Sequence, residues 1–398
     1  MNTNLEIGVK AEWDRATEIL VSTPGPELFY GVIYPGAACF EGPFNPNQAI
    51  EEHLEFRRVL EQEGIHVMNL RDVLSDNYQR LIELARSSLS QVFFDPEGKR
   101  EVPELFDTTQ SPLNVLPKDV LLRLVIEKTS VLQRRTPEGT YENEGYLVNP
   151  ILNLYFQRDP MITTDKGVII GNMAHNIRSA ETDLVKAVLG ILDIEPIHHI
   201  QAPGHLEGGD YIPAEEFALI GQGLRTNSEA IDQLMKSKVF GFKEVVVVHD
   251  PYQKEDEMHL DTYFDFAGKR KAVIVEDRTN ITGKEDLNKV PKVTIYHPDG
   301  DGIYHRDSDK RFLTLQQYLE SKEVELTPVT KEMQLNYGLN FLATRDSHII
   351  VVKGIEKDYH DRLEKAEIET VEVPLDNLKK GYGGPHCMTQ VLRRVEDA

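Results

Sequence analysis

The apolar residues of this chain gather in short runs that recur along its length, and this constrains the fold more than any other feature. Such runs lie at 167–170, 217–221, 245–248, 271–275, 348–352 and 370–373. Runs of that length bounded by turn residues read as buried strands. Between them, 181–192, 228–235 and 310–319 carry apolar residues at helical spacing. Near the start, 17–22 reads as a strand ending at Pro24-Gly25-Pro26, a helix follows over 48–63, and Gly64 closes it before a strand at 65–68. The pattern is strand, crossover helix, strand, in an α/β chain with its strands in small groups.

Residues 72–145 differ. Helical spacing at 78–89 and 119–132, with a polar, Pro-containing stretch between, predicts a helical insertion in an otherwise single unit spanning 1–398. No internal repeat is visible as identical residues, so symmetry is neither established nor excluded at this level.

Charge removes some function classes. With 66 acidic and 44 basic residues the formal net charge is -22, and no basic tract tracks a phosphate backbone, so nucleic acid is not expected as a partner. No apolar run approaches the ~20 residues of a membrane span, and residues 1–6 lack the basic start and apolar core of a leader. Two cysteines, Cys39 and Cys387, build no disulfide framework and fit a reducing cytoplasm.

Four polar clusters beside predicted strands could carry chemistry. Asp159 precedes Pro160, which places its carboxylate at a strand end or loop; alone, Arg158-Asp159-Pro160 reads equally as a turn or ion pair. Glu207 and Asp210 bracket two glycines that permit a tight backbone, so both carboxylates could point into a cleft. His259 and Asp261 would share one face if their segment were a strand. In Gly383-Gly384-Pro385-His386-Cys387, the glycines would form a mobile, strained loop exposing the sulfur. His198, His199, His205, Glu207 and Asp210 offer metal-ligand atoms without the spacing of a helical zinc motif, and neither metal nor cofactor is called for.

These residue types suit a planar cation. A guanidinium wants carboxylates that accept paired hydrogen bonds, which Asp159 and Asp261 could supply. Its central carbon is a poor electrophile, and a thiolate is the side chain best able to attack it. An amine leaving group needs a proton donor and the later water needs a base; His259 held by Glu207 could serve both steps.

Taken in order along nearly the whole chain, the four clusters resemble the arginine deiminase family of guanidine-modifying enzymes. Glu6-Ile7-Gly8, Pro24-Gly25-Pro26-Glu27-Leu28, Asn153 and Phe156 add to the likeness. The resemblance implies a pentein α/β-propeller of five ββαβ modules with pseudo-fivefold symmetry. It implies Cys387 as nucleophile, His259 as acid and base, Glu207 as its partner, and Asp159 and Asp261 as guanidinium carboxylates. Arg178 and Arg225, with Asn153 nearby and Phe156, match substrate-binding positions. The implied reaction hydrolyses arginine to citrulline and ammonia through a Cys387 amidino intermediate, in a cytoplasmic homo-oligomer. Transfer of the amidino group to an amine, or deimination of agmatine, are the alternatives. One position departs from the pattern: five residues before the cysteine, where an arginine is expected, stands Tyr382.

Overall fold

The computed structural model describes residues 5–94, 97, 99, 104–105, 113–279, 289–307 and 313–396. Strand Arg15–Val21 pairs in parallel with His66–Asn69, and helix Pro46–Gln62 makes the crossover between them. Asn45 starts that helix by accepting from the backbone N–H groups of Asn47 and Gln48, with Pro46 at the first helical position. Gly64, at φ +80, ends it in a conformation that favours glycine. The sheet is completed from the other end of the chain, since Gln390–Val395 lies antiparallel to Arg15–Val21.

That unit of an antiparallel hairpin, a helix and a third strand parallel to the second occurs five times. Met161–Thr164 and Gly167–Ile170 form a hairpin, helix Ser179–Ile191 follows, and His198–His199 pairs in parallel with the second strand. Tyr211–Ala214, Phe217–Gln222, helix Ser228–Lys236 and Glu244–His249 repeat the order. So do Phe264–Gly268, Lys271–Val275, helix Leu315–Ser321 and Glu325–Val329. Leu342–Arg345, His348–Val352, helix Lys357–Lys365 and Glu369–Val373 make the fifth. In each sheet the second strand has a neighbour on both sides and is mostly buried: Ile19, Leu20, Val21, Leu219, Ile220, Val273, Ile274, Ile350 and Val351 expose nothing. Neighbouring units touch in order, and Leu342–Arg345 meets Arg15–Val21, so the set closes on itself. Strands Lys292–Pro298 and Tyr304–Arg306 extend the sheet of Glu244–His249.

The segment 72–145, expected to be helical, is mixed. Helices Tyr78–Ser88 and Lys118–Glu127 are present, but a four-stranded sheet runs in the order Glu104–Leu105, Ser90–Phe94, Thr129–Arg135 and Tyr141–Val148. The helix expected to reach 132 stops where Lys128 takes a left-handed conformation at φ +46. Residues 130–134 then pair in parallel with Ser90–Phe94 and Thr129 opens the antiparallel pairing with Tyr141–Val148, because β-branched residues such as Thr129 and Val131 with a sheet edge to join pack better as strand than as helix. The buried residues Leu81, Ile82, Leu121 and Val125 share one core with Leu184, Val185 and Val188 of helix Ser179–Ile191. The helix expected at 310–319 is observed at Leu315–Ser321; residues 310–312 lie outside the described residues. Among the described residues no helix is long and apolar enough to cross a membrane.

Candidate active site

Each unit contributes one loop, the one that runs into its first strand. Asp159, Asp210, Asp261, Asn340 and Cys387 stand just before the strands that begin at Met161, Tyr211, Phe264, Leu342 and Gln390. Because the units close on themselves, these equivalent loops meet, and residues far apart in sequence come together. Of the nine residues expected at the site, seven line one cavity: Asn153, Phe156, Asp159, Arg178, Arg225, His259 and Cys387. Glu207 and Asp261 reach it through side chains that line it, as given next.

Glycine makes the close packing possible at two points. A side chain at Gly208 would stand 2.0 Å from the Arg158 carbonyl oxygen, so only glycine lets the 207–210 turn lie on the Asp159 loop, to whose carbonyl Gly208 N–H donates at 3.0 Å. A Cβ at Gly209 would sit 2.8 Å from His259 Nδ1 and 2.9 Å from Asp261 Oδ1. His259 and Asp261 thus converge as expected, but not on a strand: His259 is extended and Leu260–Thr262 is a 3-10 turn. Glu207 enters the site, whereas Asp210 turns away to accept from the Leu260 backbone N–H at 3.0 Å and buttresses that turn. Burial raises the Asp210 carboxyl to about 7.

His259 Nε2 is 2.9 Å from Glu207 Oε2, and its Nδ1 is 3.8 Å from Asp159 Oδ1. Burial alone would depress the ring, yet Asp159, Glu207 and Asp210 outweigh it and hold His259 at about 9. It is therefore a protonated imidazole at neutral pH, able to give a proton and later to take one. Glu207 is fully buried and lies well below the usual carboxylate range despite that burial, through its bond to His259 and the charges of His259, Arg178 and Arg225.

Cys387 is buried, with 3% of its surface exposed. The expected mobile, exposed loop is absent, because the Asn340 side chain pins it. Gly384 N–H and Cys387 N–H both donate to Asn340 Oδ1, at 2.7 and 3.1 Å, and Asn340 Nδ2 points at Sγ from 3.1 Å. The thiol lies 3.6 Å from Asp261 Oδ2. Burial first, then the Asp261 and Asp159 charges, push it well above the ordinary thiol range. Asp159 Oδ1 and Asp261 Oδ1 are both buried without a hydrogen-bond partner. A cation placed between them would satisfy two orphaned acceptors and remove much of what keeps the sulfur protonated.

Beneath Asp261 lies a charged group with no sequence expectation attached. His386 Nδ1 bonds Asp261 Oδ2 at 2.7 Å, while its Nε2 stands 3.3 Å from Glu12 and 3.4 Å from Asp265. Burial and the Arg158 charge depress His386, but Asp265, Asp261 and Glu12 hold it at about 9. His386 in turn keeps Asp261 ionised against burial.

Of the two arginines, Arg178 is fully engaged, donating to Asp159 at 2.8 Å and to both oxygens of Glu181 at 2.9 and 2.8 Å. Arg225 donates to Glu255 at 2.8 Å. Asn153 holds the turn Pro35–Ala38 through its amide on the Ala38 carbonyl, and Phe156 packs on Tyr155. Tyr382, which stands where the resemblance expects an arginine, also lines the cavity, with Cys39 and Met258, to which the sequence attaches no role. Among the described residues one set of ligand-type side chains comes close enough to share an ion, namely Asp159, Glu207 and His259. The Arg178 guanidinium lies within 4 Å of both carboxylates, so a cation is already in place; His198, His199 and His205 do not join the set.

Comparison with known proteins agrees with this geometry. The chain matches the arginine deiminase family model over residues 38–394. It is 24% identical to the arginine deiminase of Halobacterium salinarum, over 100% of this chain and 98% of that protein. It is 27% identical to that of Staphylococcus haemolyticus, over 98% of each. Among solved structures it is similar to DDAH of Pseudomonas aeruginosa in complex with citrulline, with a TM-score of 0.53 and 15% identity over 94% of this chain and 99% of the other. It is also similar to the SxtG amidinotransferase of Microseira wollei, with a TM-score of 0.54 and 15% identity over 98% and 97%. These structural likenesses show the pentein fold.

Proposed function

Because the chain belongs to the arginine deiminase family, we propose that it hydrolyses the guanidinium group of L-arginine to L-citrulline and ammonia. The observation that carries this reading is the pair of buried, partnerless carboxylate oxygens on Asp159 and Asp261 beside a thiol and a protonated histidine. Arginine enters as the missing cation and its guanidinium takes up both oxygens. Its charge offsets the two carboxylates, the thiol releases its proton to bulk water, and Sγ bonds to the central carbon. His259 gives a proton to the departing nitrogen, which leaves as ammonia with the C–N electron pair, and a thiouronium on Cys387 remains. Neutral His259 then takes a proton from water, the hydroxide adds to the same carbon, and the C–S bond breaks as the hydroxyl proton passes to the departing sulfur, which regenerates the thiol and releases citrulline. Glu207 orients the ring and stabilises its charged form; Asn340 fixes the sulfur.

The substrate carboxylate is assigned to Arg225, with Arg178 as the cation that orders Asp159, and Asn153 and Phe156 shape the wall. The whole chain acts as one catalytic unit, which the core shared between 72–145 and helix Ser179–Ile191 supports. A homo-oligomer in the cytoplasm completes the reading. The test is product analysis with L-arginine and an amine acceptor together: citrulline with ammonia is expected, whereas ornithine with a new guanidine would assign the chain to amidino transfer.

A further inference from the structure

Arg225 and Glu255 form a pair at the mouth of the cavity that the chemistry at sulfur does not use. Arg225 is buried and its Nη2 donates to Glu255 Oε2 at 2.8 Å, but Nε and Nη1 have no hydrogen-bond partner. Nη1 stands 4.0 Å from Glu207. Buried donors without partners are costly, so this side of the guanidinium is complementary to a carboxylate arriving from outside. Glu255 differs in keeping 59% of its side chain exposed. It faces a second chamber, lined also by Glu41, Asp256, Tyr337 and Tyr382, and Tyr382 is common to this chamber and the cavity. No Lys, Arg or His among the described residues lines the chamber.

We propose that Arg225 and Glu255 together read the zwitterionic head of an α-amino acid, with Glu255 the specificity-determining acceptor of its α-ammonium group. An α-amino acid carries ammonium and carboxylate on one carbon. A carboxylate docked on the open side of Arg225 therefore brings the ammonium beside the carboxylate already bound to the same guanidinium. The protein pair and the substrate pair are opposite in order, so each charge meets its complement. The chamber around Glu255 is lined by three carboxylates, two amides and two phenols, with Thr262 and Leu335, and the nearby Lys331 is neutralised by its ion pairs with Asp256 and Glu257.

This inference rests on the arginine reading above. The experiment measures kcat and KM of wild type and Glu255→Gln with L-arginine and with guanidinopentanoate, which has the carboxylate and lacks the ammonium. A charge-assisted hydrogen bond lost from the variant should lower kcat/KM for arginine roughly 10- to 100-fold, through KM, and leave guanidinopentanoate within about twofold. Equal losses with both substrates, or an arginine value that does not fall, would overturn the assignment while leaving the deiminase reading intact. A gain with arginine would do so too, making Glu255 a competitor for Arg225. Absence of arginine turnover by wild type would refute both.

Discussion

Replacing Asp261 with asparagine should make the Cys387 thiol more acidic and the enzyme less active. Asp261 Oδ2 lies 3.6 Å from Sγ. At an effective dielectric constant of about 20, a negative charge at that distance opposes the thiolate by about 4 to 5 kcal/mol. A fall in the thiol pKa is the expected effect. Ultraviolet titration of the thiolate, with Cys387→Ser as the blank, measures it. Steady-state turnover of arginine should meanwhile fall, since the variant loses an acceptor for the guanidinium. Because exposure of the sulfur would also lower the thiol pKa, circular dichroism and a denaturation midpoint close to wild type are required alongside the two readouts. A thiol in Asp261→Asn that titrates at or above the wild-type pH would refute the electrostatic reasoning.

Gly209→Ala should cost about a hundredfold or more in kcat, because its methyl would be within 3 Å of both His259 and Asp261 and would force them apart. The contacts are with side chains and the fold should survive; a kcat within a few-fold of wild type, with the fold intact by circular dichroism, would contradict the packing. Stability should fall on the alkaline side. His259 and His386 are held at about 9 in the folded protein against 6.5 otherwise, so their stabilisation is full below pH 6.5 and is lost as pH rises through about 9. The loss is of the order of 3 kcal/mol for each. Asp210, raised to about 7, acts in the same direction at lower pH. A denaturant midpoint constant from pH 6 to 9 would contradict these environments.

What could be read in the sequence follows from how each element is buried. The middle strands at Gly167–Ile170, Lys271–Val275 and His348–Val352 match their expected limits, because a strand covered on both faces is a continuous apolar run. The first strands, such as Tyr211–Ala214 and Phe264–Gly268, were not expected: each follows directly on a site loop, and residues such as Pro213 and Asp265 interrupt its pattern. Pairing of Arg15–Val21 with Gln390–Val395 leaves no local signal at all, and it is the contact that joins the ends of the chain. In the 72–145 segment the apolar spacing of 119–132 suited a helix, and the sheet that captures its last third is a tertiary effect.

The site divides in the same way. Cys387, His259, Glu207, Asp159 and Asp261 are residue types whose chemistry is visible in sequence, and the structure brings them together. Asn340 and Glu12 act through contacts across long sequence separations, and an isolated Asn or Glu announces nothing. His386 stood next to the cysteine; its position was the available signal, but only the three carboxylates around it give it a part. The sulfur is held by Asn340, and flexible glycines do not present it to solvent.

The central claim is covalent catalysis by Cys387 on an intact arginine skeleton. Intact-mass analysis of enzyme acid-quenched during turnover of L-arginine tests it most directly. The account predicts an adduct on Cys387 with the mass of arginine less ammonia, absent from Cys387→Ser. An adduct of the bare amidino group, or turnover with retained activity in the Cys387→Ser variant, would contradict it.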